Sequence, residues 1–298
     1  VQSGELGALI GFRGQCLENA LETLDTFTNT LIFETNRAHS QGQGLNLLDQ
    51  ITGTNLAADP AAALNDVAAG LDFVPTHGSF QIHVTQGSTG QRVTTSINID
   101  LDGINAASDT SLTSLAADLN AVGNLSATVT PDGRLSITSD TTDFQFSFSD
   151  DSSGVLAALG VNTFFTGGGS FDVGVNEGLV GDPRYIAGGR GHLPGDNRGA
   201  LAIADLRSEG QDALNGLTLP GYWNRHVEDI AIRTGQAREQ LQADTVVSEN
   251  LKIQQQAFSG VNADEETIDL MKYQRMYQAN ARFITVVDEL MQTLLGLV

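Results

Sequence analysis

LMKYQRMYQANARFITVVDELMQTLLGLV, residues 270–298, is the stretch from which the rest of the chain can be read. Leu270, Tyr273, Tyr277, Asn280, Ile284, Val287, Met291, Leu294 and Val298 follow one another at alternating steps of three and four. Met276, Phe283, Leu290 and Leu297 repeat every seven residues on the flank of that row. A period of about 3.5 residues drifts slowly around a helix of about 3.6 residues per turn, so the row predicts a seam that lies along another helix. Asn280 is the one polar member, and a polar residue at a seam position fixes register and partner number at some cost in stability. Tyr273 and Tyr277 share the helical spacing and are read as interface packing, not as a stacking platform. The expectation is assembly, not catalysis.

Working backwards, Asn262-Ala263-Asp264-Glu265 reads as a helix N-cap with a carboxylate at its third position. If helical throughout, residues 262–298 span about 55 Å. Before it, Trp223, Val227, Ile230, Ala237, Leu241, Leu251 and Phe258 keep heptad spacing from Tyr222 to the break at Ser259-Gly260. Thr234, Asp244, Ser248 and Gln255 intrude in that seam, which predicts looser packing. At the other end, Leu17, Leu21, Leu24 and Leu31 recur at helical spacing with Ala20 and Phe27 beside them. Gly11 and Gly14 weaken the first turns, so the continuous helix is expected from about Gln15 to His39.

Between the helical ends the period changes to two. Phe80, Ile82 and Val84 alternate with polar residues, as do Val93, Thr95, Ile97, Ile99 and Leu101. A short helix with Leu112, Leu115, Leu119 and Val122 follows, then a hairpin around Pro131-Asp132-Gly133-Arg134. Phe144, Phe146 and Phe148 make another strand, and Ser152-Ser153 cap a short helix through Leu159. Residues 166–200 are glycine-rich and predict loops. The order implies an α+β chain, a discontinuous helical rod of long coiled-coil-like helices with an inserted, mainly antiparallel β-rich module. Its parts are expected at 1–60 (helical rod), 61–166 (inserted module), 167–218 (loop and extended return), 219–261 (rod helix) and 262–298 (terminal assembly helix).

A formal charge of −21 argues against nucleic acid and anionic membrane as partners. Cys16 is the single cysteine, so no intrachain disulfide or cysteine zinc cage can form, and its spacing suits a small core residue. No apolar run is long enough to span a membrane. The chain begins at Val1 without an initiator Met or signal-peptide pattern, which suggests a piece of a longer protein.

Signals for chemistry are weak. His39, His77, His83, His192 and His226 are scattered, with no pair at helical ligand spacing, and are expected as solvated loop and strand residues. Gly188-Gly189-Arg190-Gly191 lacks the Lys-Ser/Thr of a phosphate loop and predicts a flexible connection. Asn98, Asp100, Asp102, Gly103 and Asp109 match the spacing of a calcium loop, yet Ile97, Ile99 and Leu101 alternate with them as a strand does. The strand reading is preferred, and no catalytic residue, metal or cofactor is assigned.

SGVNADEE at 259–266, YQRMYQANAR at 273–282 and DELMQTLL at 288–295 resemble the C-terminal signature of the flagellar axial family of rod, hook and hook-associated proteins. GELGAL at 4–9 with Phe12-Arg13, ALGVNTFF at 158–165 and GDNRGAL at 195–201 agree with it. The resemblance implies a non-enzymatic structural subunit, one of those that join hook to filament in a ring. It implies as partners copies of the chain, hook protein, other hook-associated proteins and an export chaperone on the C-terminal helix. It implies an extracellular place in the bacterial flagellum, reached without a cleaved signal peptide. The alternative is an extracellular adhesin-type binding module on the β-rich insert, which would show Phe144, Phe146 and Phe148 to solvent.

Overall fold

The computed structural model describes residues 4–104, 108–191, 193, 195–260 and 262–296. The chain divides into two compact units, Val1–Glu228 and Asp229–Val298.

The first unit opens with α1 (Gly4–Gly11), a π-helical stretch (Phe12–Leu17) and α2 (Glu18–Ser40). The helix is therefore not held back to Gln15. Gly11 keeps ordinary helical angles, because one glycine costs only about 1 kcal/mol against alanine. The irregularity is taken up by the π stretch instead. Cys16 lies half-buried in that stretch and joins none of the core clusters. The buried face of α2 is unusually polar. Asn36 accepts from the N–H groups of Phe164 and Phe165 at 3.0 and 2.8 Å and donates to the Phe165 carbonyl at 3.0 Å. One side chain thus satisfies three backbone groups of that segment.

Two three-stranded antiparallel sheets follow. In one, β2 (Gly78–Gln86) lies between β3 (Arg92–Ile99) and β6 (Phe144–Ser149). In the other, β5 (Leu135–Ser139) lies between β1 (Gln50–Thr52) and β4 (Leu125–Val129). Ile51 faces Ile137 and Ile82 faces Phe148 across their ladders. The sheet region is entered before residue 61, since β1 pairs with a strand far along the chain. The period-two residues Phe80, Ile82, Val84, Ile97, Ile99, Phe146 and Phe148 share one core with Leu135 and Ile137. Val93, from the same pattern, is exposed near the hairpin tip.

Between β3 and β4, α3 (Leu112–Asn120) adds Leu112, Leu115 and Leu119 to this core. It starts in a capping box, with Ser111 Oγ accepting from Ser114 N at 3.1 Å and Ser114 Oγ from Ser111 N at 2.9 Å. After β6, α4 (Val155–Ala158) begins with Ser153 Oγ accepting from Val155 N at 3.2 Å. The buried Asp151 carboxylate accepts from the N–H groups of Ser153, Gly154 and Leu156 at 3.0, 2.8 and 3.0 Å. Four bonds, counting Ser153 Oγ at 2.7 Å, make burial of this charge tolerable.

The glycine-rich return is more structured than loops alone. It carries the pair β7 (Phe165–Thr166) and β8 (Gly174–Val175), then α5 (Glu177–Gly181), α6 (Arg198–Asp205) and the pair β9 (Gly210–Gln211) and β10 (Leu217–Thr218). Leu206, Leu214 and Leu219 pack with Phe27, Leu31 and Tyr222 in a small separate cluster. Next, α7 (Leu219–Ser259) starts where the 219–261 rod helix is expected, with Thr218 Oγ1 accepting from Gly221 N at 3.1 Å. Pro220 sits in the first turn, where a missing N–H costs nothing. The last element, α8 (Ala263–Leu295), belongs to the second unit.

Candidate assembly surface

Asn262 starts α8 by accepting from Asp264 N at 3.1 Å. Asp264, Glu265 and Glu266 fill its first turn, where carboxylates meet the positive end of the helix dipole. From there the helix continues unbroken, so Leu270, Tyr273, Tyr277, Asn280, Ile284, Val287, Leu290, Met291 and Leu294 recur along one side of it. Leu297 and Val298 lie outside the described residues. The apolar members are exposed throughout, from 39% at Val287 to 77% at Tyr277. Asn280 is exposed with them.

An exposed apolar strip of this length marks an interaction site or an aggregation liability. Fully burying one Leu, Ile, Val or Met side chain is worth about 1.5–3 kcal/mol, so a helix laid along the row gains many times that amount. Val227, Ile230, Leu241, Leu251 and Phe258 of α7 are exposed as well. Trp223 is exposed too, and its ring lies 5.6 Å from that of Phe27 on α2.

The remaining candidates resolve into structural roles. His39 and His83 are buried, contrary to the solvated reading. His39 Nδ1 is 2.8 Å from the Asn162 carbonyl, and its Nε2 accepts from Ala187 N at 3.0 Å. His83 bonds Thr94 Oγ1 and Ser149 Oγ, both at 2.8 Å. His226 lies against Trp223, with ring centroids 5.8 Å apart. His192 lies outside the described residues. Burial pushes both buried imidazoles below the ordinary histidine value.

The glycine loop is tied down rather than flexible. Gln43 and Gly189 exchange backbone bonds at 2.8 and 3.2 Å. The Asp196 carboxylate accepts from the N–H groups of Arg190, at 2.9 Å, and Gly191. It also holds the Arg198 guanidinium at 3.0 Å. Arg198, followed by those N–H groups, keeps this carboxyl far below the usual range. The nest that a phosphate would need is filled from within the chain. Asn98 of the calcium pattern belongs to β3 and pairs with Ser79, so the flanks are strand rather than helix.

A hollow of about 410 Å³ in the first unit is lined by Leu31, Phe164, Phe165, Ile203, Leu206 and Leu219 among others. These side chains offer hydrocarbon, not proton transfer. No described helix is long and apolar enough to cross a membrane.

Comparison with known proteins falls on the same helix. The family described as flagellar basal body rod FlgEFG protein C-terminal matches residues 254–297. Flagellar hook-associated protein 1 of Escherichia coli (strain K12) is 25% identical over 300 residues, 100% of this chain and 50% of that protein. The protein of that name from Salmonella typhimurium is 32% identical over 102 residues, 34% of this chain and 18% of that protein. The chain thus spans about half the length, or less, of the curated relatives it matches. Among solved structures, the D2-D3 domains of the flagellar cap protein FliD from Escherichia coli cover 45% of this chain and 64% of theirs at 21% identity. The TM-score of that overlay is 0.26.

The proteins this chain resembles are accordingly of the flagellar hook-associated class. Within that class, the particular protein it is similar to along its full length is hook-associated protein 1.

Proposed function

We propose that this chain is a structural subunit of the bacterial flagellum that joins hook to filament, and that α8 is the surface through which it assembles. One coincidence carries the reading. The residues matched by the axial-protein family, 254–297, are those that hold the exposed apolar row. In this reading copies of the subunit form a ring, in contact with hook protein on one side and other hook-associated proteins on the other. The row from Leu270 to Leu294, with Leu297 beyond it, receives an export chaperone before secretion and neighbouring helices afterwards. Asn280 sets the register of that pairing. The subunit works outside the cell, is exported without a cleaved signal peptide and performs no catalysis.

The adhesin-type alternative needs an exposed aromatic face on β6, and Phe146 and Phe148 are 0% exposed. The test is removal of residues 262–298 from the complete protein in flagellated cells. Loss of hook binding and of filament growth is expected. Retention of both would count decisively against the reading.

A further inference from the structure

His77 stands immediately before β2 and Asp100 immediately after β3, at the end of the hairpin where Gly78 pairs with Ile99. Antiparallel pairing thereby sets the segment entering one strand beside the segment leaving the other. The His77 Nδ1 atom lies 3.4 Å from Asp100 Oδ1. One ligand atom from each of His77, Asp100 and Asp102 falls within 4.8 Å of the others.

The local hydrogen bonds leave these donors with capacity to spare. Asp102 Oδ1 accepts from Ile104 N at 2.8 Å, which steadies the carboxylate and leaves Oδ2 available. His77 Nδ1 meets both the Leu101 N–H, at 3.3 Å, and the Asp100 carboxylate, at 3.4 Å. One nitrogen cannot accept from the first and donate to the second, and both separations exceed a good hydrogen bond. A cation between nitrogen and carboxylate takes the single Nδ1 lone pair in place of the long Leu101 contact and meets the carboxylate on its other side. Metal–nitrogen and metal–oxygen bonds of about 2.1 Å at a tetrahedral angle place the two donors about 3.4 Å apart.

Positive charge is scarce around these groups. Among the described residues no arginine or lysine forms an ion pair with Asp100 or Asp102. Asp109 leaves Oδ1 buried with no hydrogen-bond partner among the described residues. Its neighbour Thr110 donates its N–H to the Asp100 carbonyl at 2.7 Å.

We propose that His77, Asp100 and Asp102 form a binding site for a first-row divalent transition metal ion, with zinc-like donor preference, that clips the open end of the β2–β3 hairpin. An imidazole with two carboxylates suits such an ion, and water completes the coordination at this open position. Calcium prefers a shell of six to eight oxygens, roughly, and gains nothing from the imidazole. Two carboxylates of the calcium-like spacing are thus kept, while Asn98 is replaced by a histidine that no spacing rule connects to them. The inference is independent of the flagellar reading.

The test is titration of cobalt(II) into the metal-free 298-residue chain, followed by visible d–d absorption, with zinc and calcium as competitors. A saturable spectrum at one cobalt per chain is expected, displaced by zinc and not by calcium. His77→Ala and, separately, Asp102→Asn weaken it at least about tenfold, the lower end of what outer-shell changes alone cost. His226→Ala leaves it unchanged. Thermal unfolding of each variant without metal, matching the parent, excludes misfolding as the cause. Absence of a saturable spectrum overturns the proposal, as does a spectrum that His77→Ala leaves intact. Equal displacement by calcium overturns it too, by showing binding to surface carboxylates alone.

Discussion

The His39 imidazole and the Asn162 carbonyl are joined by a 2.8 Å bond across 123 residues of sequence. With Nε2 accepting from Ala187 N at 3.0 Å, the ring is neutral, and Nδ1–H donates to Asn162. The last turn of α2 is thereby fastened to the segments after α4 and before α6. Asn162 returns the contact, its Nδ2 donating to the carbonyls of Ser40 and Gly42 at 3.2 and 3.0 Å.

A pH dependence follows from this burial. Burial holds the folded His39 below the ordinary histidine value of about 6.5. An unfolded chain takes up a proton below that pH which the folded ring refuses. The stability of the first unit is therefore level above about pH 6.5 and falls as the pH drops below it. His83, lowered first by burial and then by Arg92, adds to the same slope. Chemical denaturation at a series of pH values should show the decline, and His39→Gln should flatten it. That variant also lowers stability at neutral pH by about 1–3 kcal/mol, through the buried groups it leaves without partners.

Gly160 tests backbone geometry. It holds φ +70°, and a Cβ there would strike Thr54 Oγ1 and the Thr54 and Asn55 amides. Gly160→Ala is expected to cost more than about 1 kcal/mol. Gly235, within α7, has open space around it and no positive φ, so Gly235→Ala should stabilise by about 0.5–1 kcal/mol. Urea denaturation of both variants gives the two signs, and equal effects would contradict this account.

Core and surface aromatics should part in the same assay. Phe148 is 0% exposed and packs edge-on to Phe146 at 5.7 Å. Phe148→Ala is expected to cost about 3–5 kcal/mol. Tyr277→Ala, on the exposed row of α8, should leave unfolding of the first unit within about 0.5 kcal/mol of the parent.

Much of the fold can be read from single residues. The alternation at Phe80, Ile82 and Val84 and the spacing of Leu112, Leu115 and Leu119 each need one buried face, and a face leaves a period in the sequence. The apolar row of α8 is legible for the same reason. What escapes is pairing with little local signature. The three residues of β1 are too few to show a period, and their partner β5 lies far along the chain. The run through Gly11 and Gly14 escapes because propensity is weak against helix continuity. Asp196 filling the glycine loop, and His77 joining Asp100 and Asp102, are made by tertiary approach.

The chaperone reading gives a separate prediction. Leu290→Asp together with Leu294→Asp puts two charges where a helix would bury two leucines, each worth about 1.5–3 kcal/mol when fully buried. Calorimetry against the export chaperone should show binding lost, while thermal unfolding of the first unit is unchanged. Unaltered chaperone affinity would refute the row as its docking site.

The most direct measurement of the central claim places the same two substitutions in the complete protein and counts filaments on hooks by electron microscopy. Hooks left bare of filament are the predicted result. Filaments at the parental number, grown from subunits that carry both aspartates, would contradict the assignment of α8 as the assembly surface.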